Sequence, residues 1–188
     1  MGGKMSVGFH ELIIGDSVDI KGPLGSFIWQ GPRDGGIRWK DVLRPGIRKL
    51  GMICAGSGIT PILQVLRAVL EHNDEREKMQ LWLLDANKTE RDILCREELD
   101  GYFAEYGKKG DASVAGGHLR IHHTLSKAPK NWAFSNGRIN DEMLQKHLPL
   151  PADDALILVC GPQGMIDFTV KPGLQRLGWN VDSSLVIF

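Results

Sequence analysis

The 188-residue sequence has no run approaching the ~18 consecutive apolar residues that a membrane-spanning helix needs. It has no excess of either charge, because 23 lysines and arginines offset 23 aspartates and glutamates. No net field therefore favours a nucleic-acid backbone or an anionic membrane. It has only three cysteines, Cys54, Cys95 and Cys160, an odd number too scattered for a disulfide framework. Such usage fits a reducing compartment, and a cytoplasmic location is expected. Gly2, Lys4, Ser6, His10 and Glu11 interrupt any apolar signal-peptide core at the start. Repeats, low-complexity tracts and zinc-ligand spacings are absent. His122 and His123 would point to opposite faces of a strand, so they cannot hold one metal together, and no metal site is expected. No Ser–His–Asp arrangement can be argued.

What is present is the balance of an ordinary globular protein, 42% apolar and 24% charged. The chain opens "MGGKMS", whose glycines, lysine and serine have the makings of a phosphate cradle. Residues 17–22 alternate Val18 and Ile20 with polar neighbours and predict a half-buried strand. Residues 22–25 predict a turn, and "SFIWQG" a second strand ending at Gly31. Two strands without partners are marginal, so residues 1–31 read as the end of a β domain. Residues 32–48 read as a polar connector containing glycine and proline.

From Lys49 the rhythm changes. "LGMICA" is an apolar run of the kind buried in parallel sheets. Ile62, Leu66, Val69 and Leu70 follow at helical spacing. Strands are expected again at "MQLWLLDA", "HLRIHHTLS", "ALILVC" and "SLVIF". The intervening helices are expected over 90–106, over 139–148, and after "GPQGM" with an interruption near Pro172. This alternation predicts an α/β fold with a doubly wound, parallel, five-stranded sheet over 49–188. Right-handed crossovers then place the loops after "MICA", "LLDA" and "LVC" on one edge, where such folds bind ligands.

Three loops on that edge carry candidates. In "CAGSGITP", Gly56 and Gly58 permit a sharp turn, Thr60 can cap a helix, and Pro61 is expected at its first position. The turn either presents free N–H groups to an anion such as a pyrophosphate or is a plain strand-to-helix turn. In "LVCGPQGM", Gly161 and Pro162 turn the chain after Cys160. That thiol is either a small buried hydrophobe or a steric support beside a ligand ring, since the sequence names no base beside it. In "DANKTERD", Asp85 could accept from ribose hydroxyls, whereas Lys88, Arg91 and Arg96 could receive a 2′-phosphate. Trp82 and Trp132 read as core.

Taken in order, "GGKMS", "IGDSVDIKGPLGSFIWQG", "MICAGSGITPILQVLRAVL", "NKTERDIL" and "LVCGPQGM" resemble the ferredoxin-reductase-like flavoenzymes. Within them the chain is similar to cytochrome b5 reductases and eukaryotic assimilatory nitrate reductases. "GPLGSFIWQG", "MICAGSGITPILQVLRAV" and "HTLSKAPKNWAFSNGRIND" look closest to the C-terminal reductase part of fungal nitrate reductases. The resemblance implies an antiparallel FAD barrel, of which residues 1–31 are the remainder, then a linker and an NAD(P)H domain over 49–188. It implies that Gly3, Lys4, Met5 and Ser6 contact FAD phosphates, and that Gly56, Gly58, Thr60 and Pro61 bind NADPH or NADH. It places Cys160 on the hydride path, with Gly161, Pro162 and Met165 lining the nicotinamide site. Asp92 matches a position associated with the choice between NADH and NADPH, and Phe188 a terminal aromatic close to the flavin. The family's Arg-x-Tyr-Ser/Thr flavin motif has no match here, so these residues are expected to hold FAD weakly or not at all. The implied activity passes hydride from nicotinamide to flavin and electrons to a haem (cytochrome b5-like) domain. A free cytochrome b5 reductase and a nucleotide-binding module without flavin stay open as alternatives.

Overall fold

The structure, a computed structural model, describes residues 3–22, 25–31, 36–71, 79–107 and 118–188. Two sheets of different character organise them: three short antiparallel strands, and six parallel strands.

The parallel sheet follows from the apolar runs. β4 (Lys49–Ala55), β5 (Gln80–Asn87), β6 (Leu119–Leu125) and β8 (Ala155–Cys160) form its centre. β9 (Leu185–Ile187) and the two-residue β7 (Ser135–Asn136) close its edges in the order β7-β6-β5-β4-β8-β9. The five expected strands are all present. The sixth, β7, has no apolar run to announce it and exists through pairing with Thr124 and Leu125. Alternate residues feed two cores. Leu50, Met52, Leu81, Leu83, Leu156 and Leu158 face α2 (Ile59–Glu71) and α3 (Arg96–Tyr106). Ile53, Leu84, Ile157 and Val159 face α4 (Asp141–His147) and the helical segment 163–176. The chain winds outward from β4 to β7 and then returns to β8 on the other side of β4. The switch point therefore lies between β4 and β8.

Two local departures have clear causes. The helix expected over 90–106 breaks at Cys95, whose φ is +54°. Asp92 closes a capping box with Thr89 and ends the preceding 3₁₀ turn. The last helix does not stop at Pro172. α5 (Gln163–Met165) passes through a π turn (Ile166–Val170) into α6 (Lys171–Arg176). A widened turn relieves the clash a proline makes with the preceding turn.

The N-terminal third departs more. Lys4–Glu11 is a helix, α1, that buries no residue. Lys4, Met5 and Ser6 are therefore helical, with Gly3 as the extended N-cap, rather than a cradle-shaped loop; Met1 and Gly2 lie outside the described residues. The strand expected over 17–22 does not form, and every described residue from 3 to 22 is exposed. Its alternation has no partner among the described residues, and alternation without a covering surface gives nothing to bury. The turn expected over 22–25 lies partly, and the start of the connector, 32–35, wholly outside the described residues. The rest of that connector is not a connector. β1 (Phe27–Trp29), β2 (Ile37–Trp39) and β3 (Val42–Arg44) form an antiparallel sheet. Lys40 and Asp41, both at positive φ, make the β2–β3 turn in the manner of a type I′ hairpin. The sheet docks on the larger unit. Ile37 and Trp39 join the α2-side core, the Arg44 guanidinium donates to the Ser183 carbonyl, and Phe27 meets Phe188 edge-on at 5.5 Å.

Candidate functional site

Two loops interlock at the switch point. β4 ends in the 3₁₀ turn Gly56–Gly58, and β8 ends in the turn at Gly161 and Pro162. The two glycines of the first loop have different jobs. Gly56 has φ +55°, and a Cβ there would project into open space. Gly58 packs so closely that a Cβ would lie 2.2 Å from the Cys160 carbonyl oxygen. A Cβ at Gly161 would in turn lie 2.8 Å from Met165 Cε and 3.1 Å from Ala55 Cβ. Backbone of one loop thus lies against backbone of the other, at the crevice where open α/β sheets bind their ligands. The Thr60 hydroxyl donates to the Ser57 carbonyl at 3.0 Å. It is a donor that tightens the turn, not an acceptor capping the helix. Pro61 is the third residue of α2 rather than the first, because the helix starts two residues earlier, at Ile59; it still stands in the first turn, where no intrahelical N–H bond is lost.

Cys160 is half-buried at the end of β8, and burial raises its thiol pKa. Phe188 follows β9 directly, its N–H donating to the Val159 carbonyl of β8 at 3.1 Å. With Phe27, Trp29, Pro61, Gln64 and Val65 it lines a mainly apolar groove of about 290 Å³. The Trp29 indole N–H in this groove has no partner among the described residues.

The expected residues therefore divide. Gly56, Gly58, Thr60, Pro61, Cys160, Gly161, Met165 and Phe188 come together on the switch-point edge, and Pro162 stands exposed in its second loop. Asp92 lies beyond β5, where the Thr89 hydroxyl and then the Thr89 N–H donate to its carboxylate and lower its pKa. Gly3, Lys4, Met5 and Ser6 lie at or in the exposed α1. Asp85 is corrected. It is 1% exposed and accepts from Cys54, Asn87 and His123, so the carboxylate is bonded inside the sheet rather than turned out to a ribose. Arg96 is held by Asp100 and lies near Glu90. His122 and His123 do diverge: His123 meets Asp85, while His122 meets Ser135 and stacks on His147 at 3.4 Å. Among the described residues no group of His, Cys, Asp or Glu could hold a metal. Spacing along the chain gave no warning of the Cys54–Asp85–His123 row, which depends on strand register.

This geometry meets a direct match. The oxidoreductase NAD-binding domain model fits residues 52–171, from β4 through both loops to the start of α6. The chain belongs to the oxidoreductase NAD-binding domain family. It is 40% identical over 180 residues to NADH-cytochrome b5 reductase 3 of Rattus norvegicus, covering 94% of this chain and 56% of that protein. It is 37% identical over 187 residues to nitrate reductase [NADH] of Spinacia oleracea, covering 100% of this chain and 19% of that protein. The structure resembles the cytochrome b5 reductase domain of Ulva prolifera nitrate reductase with TM-score 0.84 and 29% identity. That likeness covers 100% of this chain and 64% of that one. The chain thus spans just over half of the cytochrome b5 reductases it matches and a fifth of the nitrate reductases.

The switch-point residues fit a nicotinamide dinucleotide. Gly56 leaves open space before its backbone, and the positive end of the helix that follows would suit a pyrophosphate placed there. The flavin fit is uneven. The groove beside Phe188 offers apolar walls to a ring, but Gly3, Lys4, Met5 and Ser6 as folded form no phosphate cradle.

Proposed function

We propose that this NAD-binding domain is the NAD(P)H-oxidising module of a flavin oxidoreductase of the nitrate reductase and cytochrome b5 reductase type. In this reading it works in the cytoplasm and passes electrons on to a haem domain. Residues 49–188 are its nucleotide domain, and the β1–β3 sheet with the preceding residues belongs to the flavin side. The observation that carries the reading is the interlock of Gly58 with the Cys160 carbonyl at the switch point, inside the family match.

The chemistry asks the protein for placement more than for acid–base catalysis. A bound nicotinamide would supply the hydride and a bound flavin would accept it. The chain's part is to hold two rings face to face and keep water out. Gly56 and Gly58 let the backbone close on the pyrophosphate. Cys160, Gly161, Pro162 and Met165 wall the nicotinamide end, and Phe188 covers the groove on the flavin side. Cys160 has its thiol pKa raised by burial, which suits a neutral packing group rather than a thiolate nucleophile. Lys88, Arg91 and Asp92 border the ribose end, and either NADPH or NADH is admitted there. The helical state of Lys4–Glu11 favours a second reading, a nucleotide-binding module that does not hold flavin by itself.

The test uses the 188-residue chain. NAD⁺ or NADP⁺ should raise its melting temperature, by about 2.7 kcal/mol of added stability at a hundredfold excess over Kd. Flavin retained through desalting, with steady NAD(P)H–ferricyanide turnover, supports the full reading. Nucleotide protection without flavin supports the second. Absence of any nucleotide effect overturns both.

A further inference from the structure

Four strands contribute one side chain each to a single row beneath the switch-point edge. Cys160 of β8, Cys54 of β4, Asp85 of β5 and His123 of β6 are successive cross-strand partners, and such partners project from the same face. Cys54, Asp85 and His123 are buried, and Cys160 forms the half-open end of the row. The Asp85 carboxylate accepts from Cys54 Sγ at 3.2 Å, from Asn87 Nδ2 at 2.9 Å and from His123 Nδ1 at 3.0 Å. On the same face the neighbouring positions are Leu50, Met52, Leu81 and Leu83. The packing pattern alone would put a leucine at position 85. A buried carboxylate is costly unless satisfied in this way, so its presence asks for a role.

The direction of the Cys54 bond supplies one. Strand order runs β5-β4-β8, so Asp85 and Cys160 flank Cys54 from opposite sides. A thiol bonded to Asp85 is turned toward β5 and away from β8. Burial first, then the Asp85 charge and hydrogen bond, also raise the Cys54 pKa well above the ordinary thiol value. We propose that Asp85 is a positioning residue that turns the Cys54 thiol away from Cys160, keeping Cys160 a single reduced thiol at the ligand edge. Without that acceptor, Cys54 is free to turn toward β8. At alkaline pH, which ionises part of the Cys160 thiol despite its raised pKa, hydrogen peroxide then oxidises Cys160 to the sulfenic acid with loss of one water. The Cys54 sulfur attacks it, the S–S bond forms and a second water leaves, so two thiols have given two electrons to one peroxide. The value of this arrangement for hydride transfer rests on the placing of Cys160 in the nicotinamide site proposed above.

The test treats the folded full chain at alkaline pH with hydrogen peroxide and dimedone and maps cysteine peptides by mass spectrometry. In the parent, Cys160 should carry the dimedone adduct and the Cys54–Cys160 disulfide should be a minor product. Asp85→Leu should raise the disulfide yield about tenfold. Asp85→Asn keeps a carbonyl acceptor for the Cys54 thiol and should stay close to the parent. A purely structural Asp85 would lower the melting temperature of both variants without changing the disulfide yield, which overturns the proposal. Should Asp85→Leu not fold, Asp85→Val, close to aspartate in size and equally without an acceptor, takes its place: a raised disulfide yield supports the proposal, and a yield equal to the parent's overturns it. A separate arm measures iodoacetamide alkylation of Cys160 with and without NAD⁺. Loss of protection there overturns the nicotinamide placement, while the disulfide yield still judges the thiol geometry.

Discussion

Ile14 and Ile53 are the same residue type in stretches of similar appearance, yet Ile14 is fully exposed and Ile53 is fully buried. The contrast extends along the chain. Of seventeen large apolar residues exposed among the described ones, eleven fall between Met5 and Leu43. Over 49–188, each apolar run has a strand on either side or a helix above it. Over 3–22, Val18 and Ile20 alternate as correctly as any strand but meet no ladder. The intervening β1–β3 sheet shows the threshold. Three strands, with Ile37 and Trp39 turned onto the α2-side core, are enough to dock a segment whose sequence reads as a connector.

The sharpest break of this comparison uses glycine. Gly58→Ala should be the most damaging small change, because its Cβ would meet backbone atoms of Cys160 and Gly161 that cannot rotate aside. A cost of about 3–4 kcal/mol is expected, with a fall in melting temperature of roughly 10 °C and loss of nucleotide protection. Gly8→Ala, in α1 with nothing within 4 Å of its new Cβ, should leave the main transition unmoved. Equal effects at the two positions in thermal unfolding would erase the distinction between the regions.

Core truncation tests the same contrast by burial. Leu66→Ala on α2 removes a side chain that is 0% exposed and should cost about 3 kcal/mol. Ile14→Ala removes an exposed one and should stay within about 0.5 kcal/mol. Urea midpoints at unchanged slope would measure both. A comparable loss at Ile14 would mean that residues 3–22 are packed on something.

These pairs also mark what a reader of the sequence can and cannot see. Ile53 and Val159 are legible as core because a continuous apolar run has few other uses. Gly56 and Gly58 are legible as a motif, and their convergence with Gly161 follows from right-handed crossovers. The contact that makes Gly58 irreplaceable is not legible, since it lies between loops about a hundred residues apart. Asp85 misleads for the same reason: at the end of a strand it reads as a ribose ligand, and only the neighbours Cys54 and His123 show it to be satisfied inside. Lys40 and Asp41 hide a hairpin because neither is the glycine such turns favour. Residues 17–22 fail in the opposite direction, by pattern without a partner.

Acid should act through the larger unit. Burial first, then the charges of His147, His123 and Lys146, lower the His122 pKa to about 4. His147, stacked on it, is also lowered, with burial again the largest cause. Between the ordinary histidine value near 6.5 and about 4, the unfolded chain binds protons that the folded chain refuses. Stability therefore falls as pH drops through this window and levels off below it. His122 is only half-buried, so about 1–2 kcal/mol is expected after solvent screening. Denaturant midpoints between pH 7 and 4 would show it, and His122→Phe should flatten the slope. An unchanged slope would place the acid sensitivity elsewhere.

The smallest expected effect is the most telling. Every described residue from 3 to 22 is exposed and α1 buries nothing, so among the described residues removing 1–22 uncovers no part of the parallel sheet. A helix of eight residues with no buried face is marginal in water, since nucleation costs more than so few bonds return. The shortened chain should melt within about 2 °C of the full one, because a change below about 0.5 kcal/mol moves a unit of this size no further. It should keep the same nucleotide protection. Removing residues 1–48 instead would also strip Ile37, Trp39 and the Arg44–Ser183 link, exposing the α2-side core, and should lower the melting temperature well beyond that margin. If the two deletions behave alike, the docking of β1–β3 contributes no more than the exposed helix does. If the shorter deletion already destabilises, the exposed apolar stretch from Met5 to Ile20 has a partner within the chain.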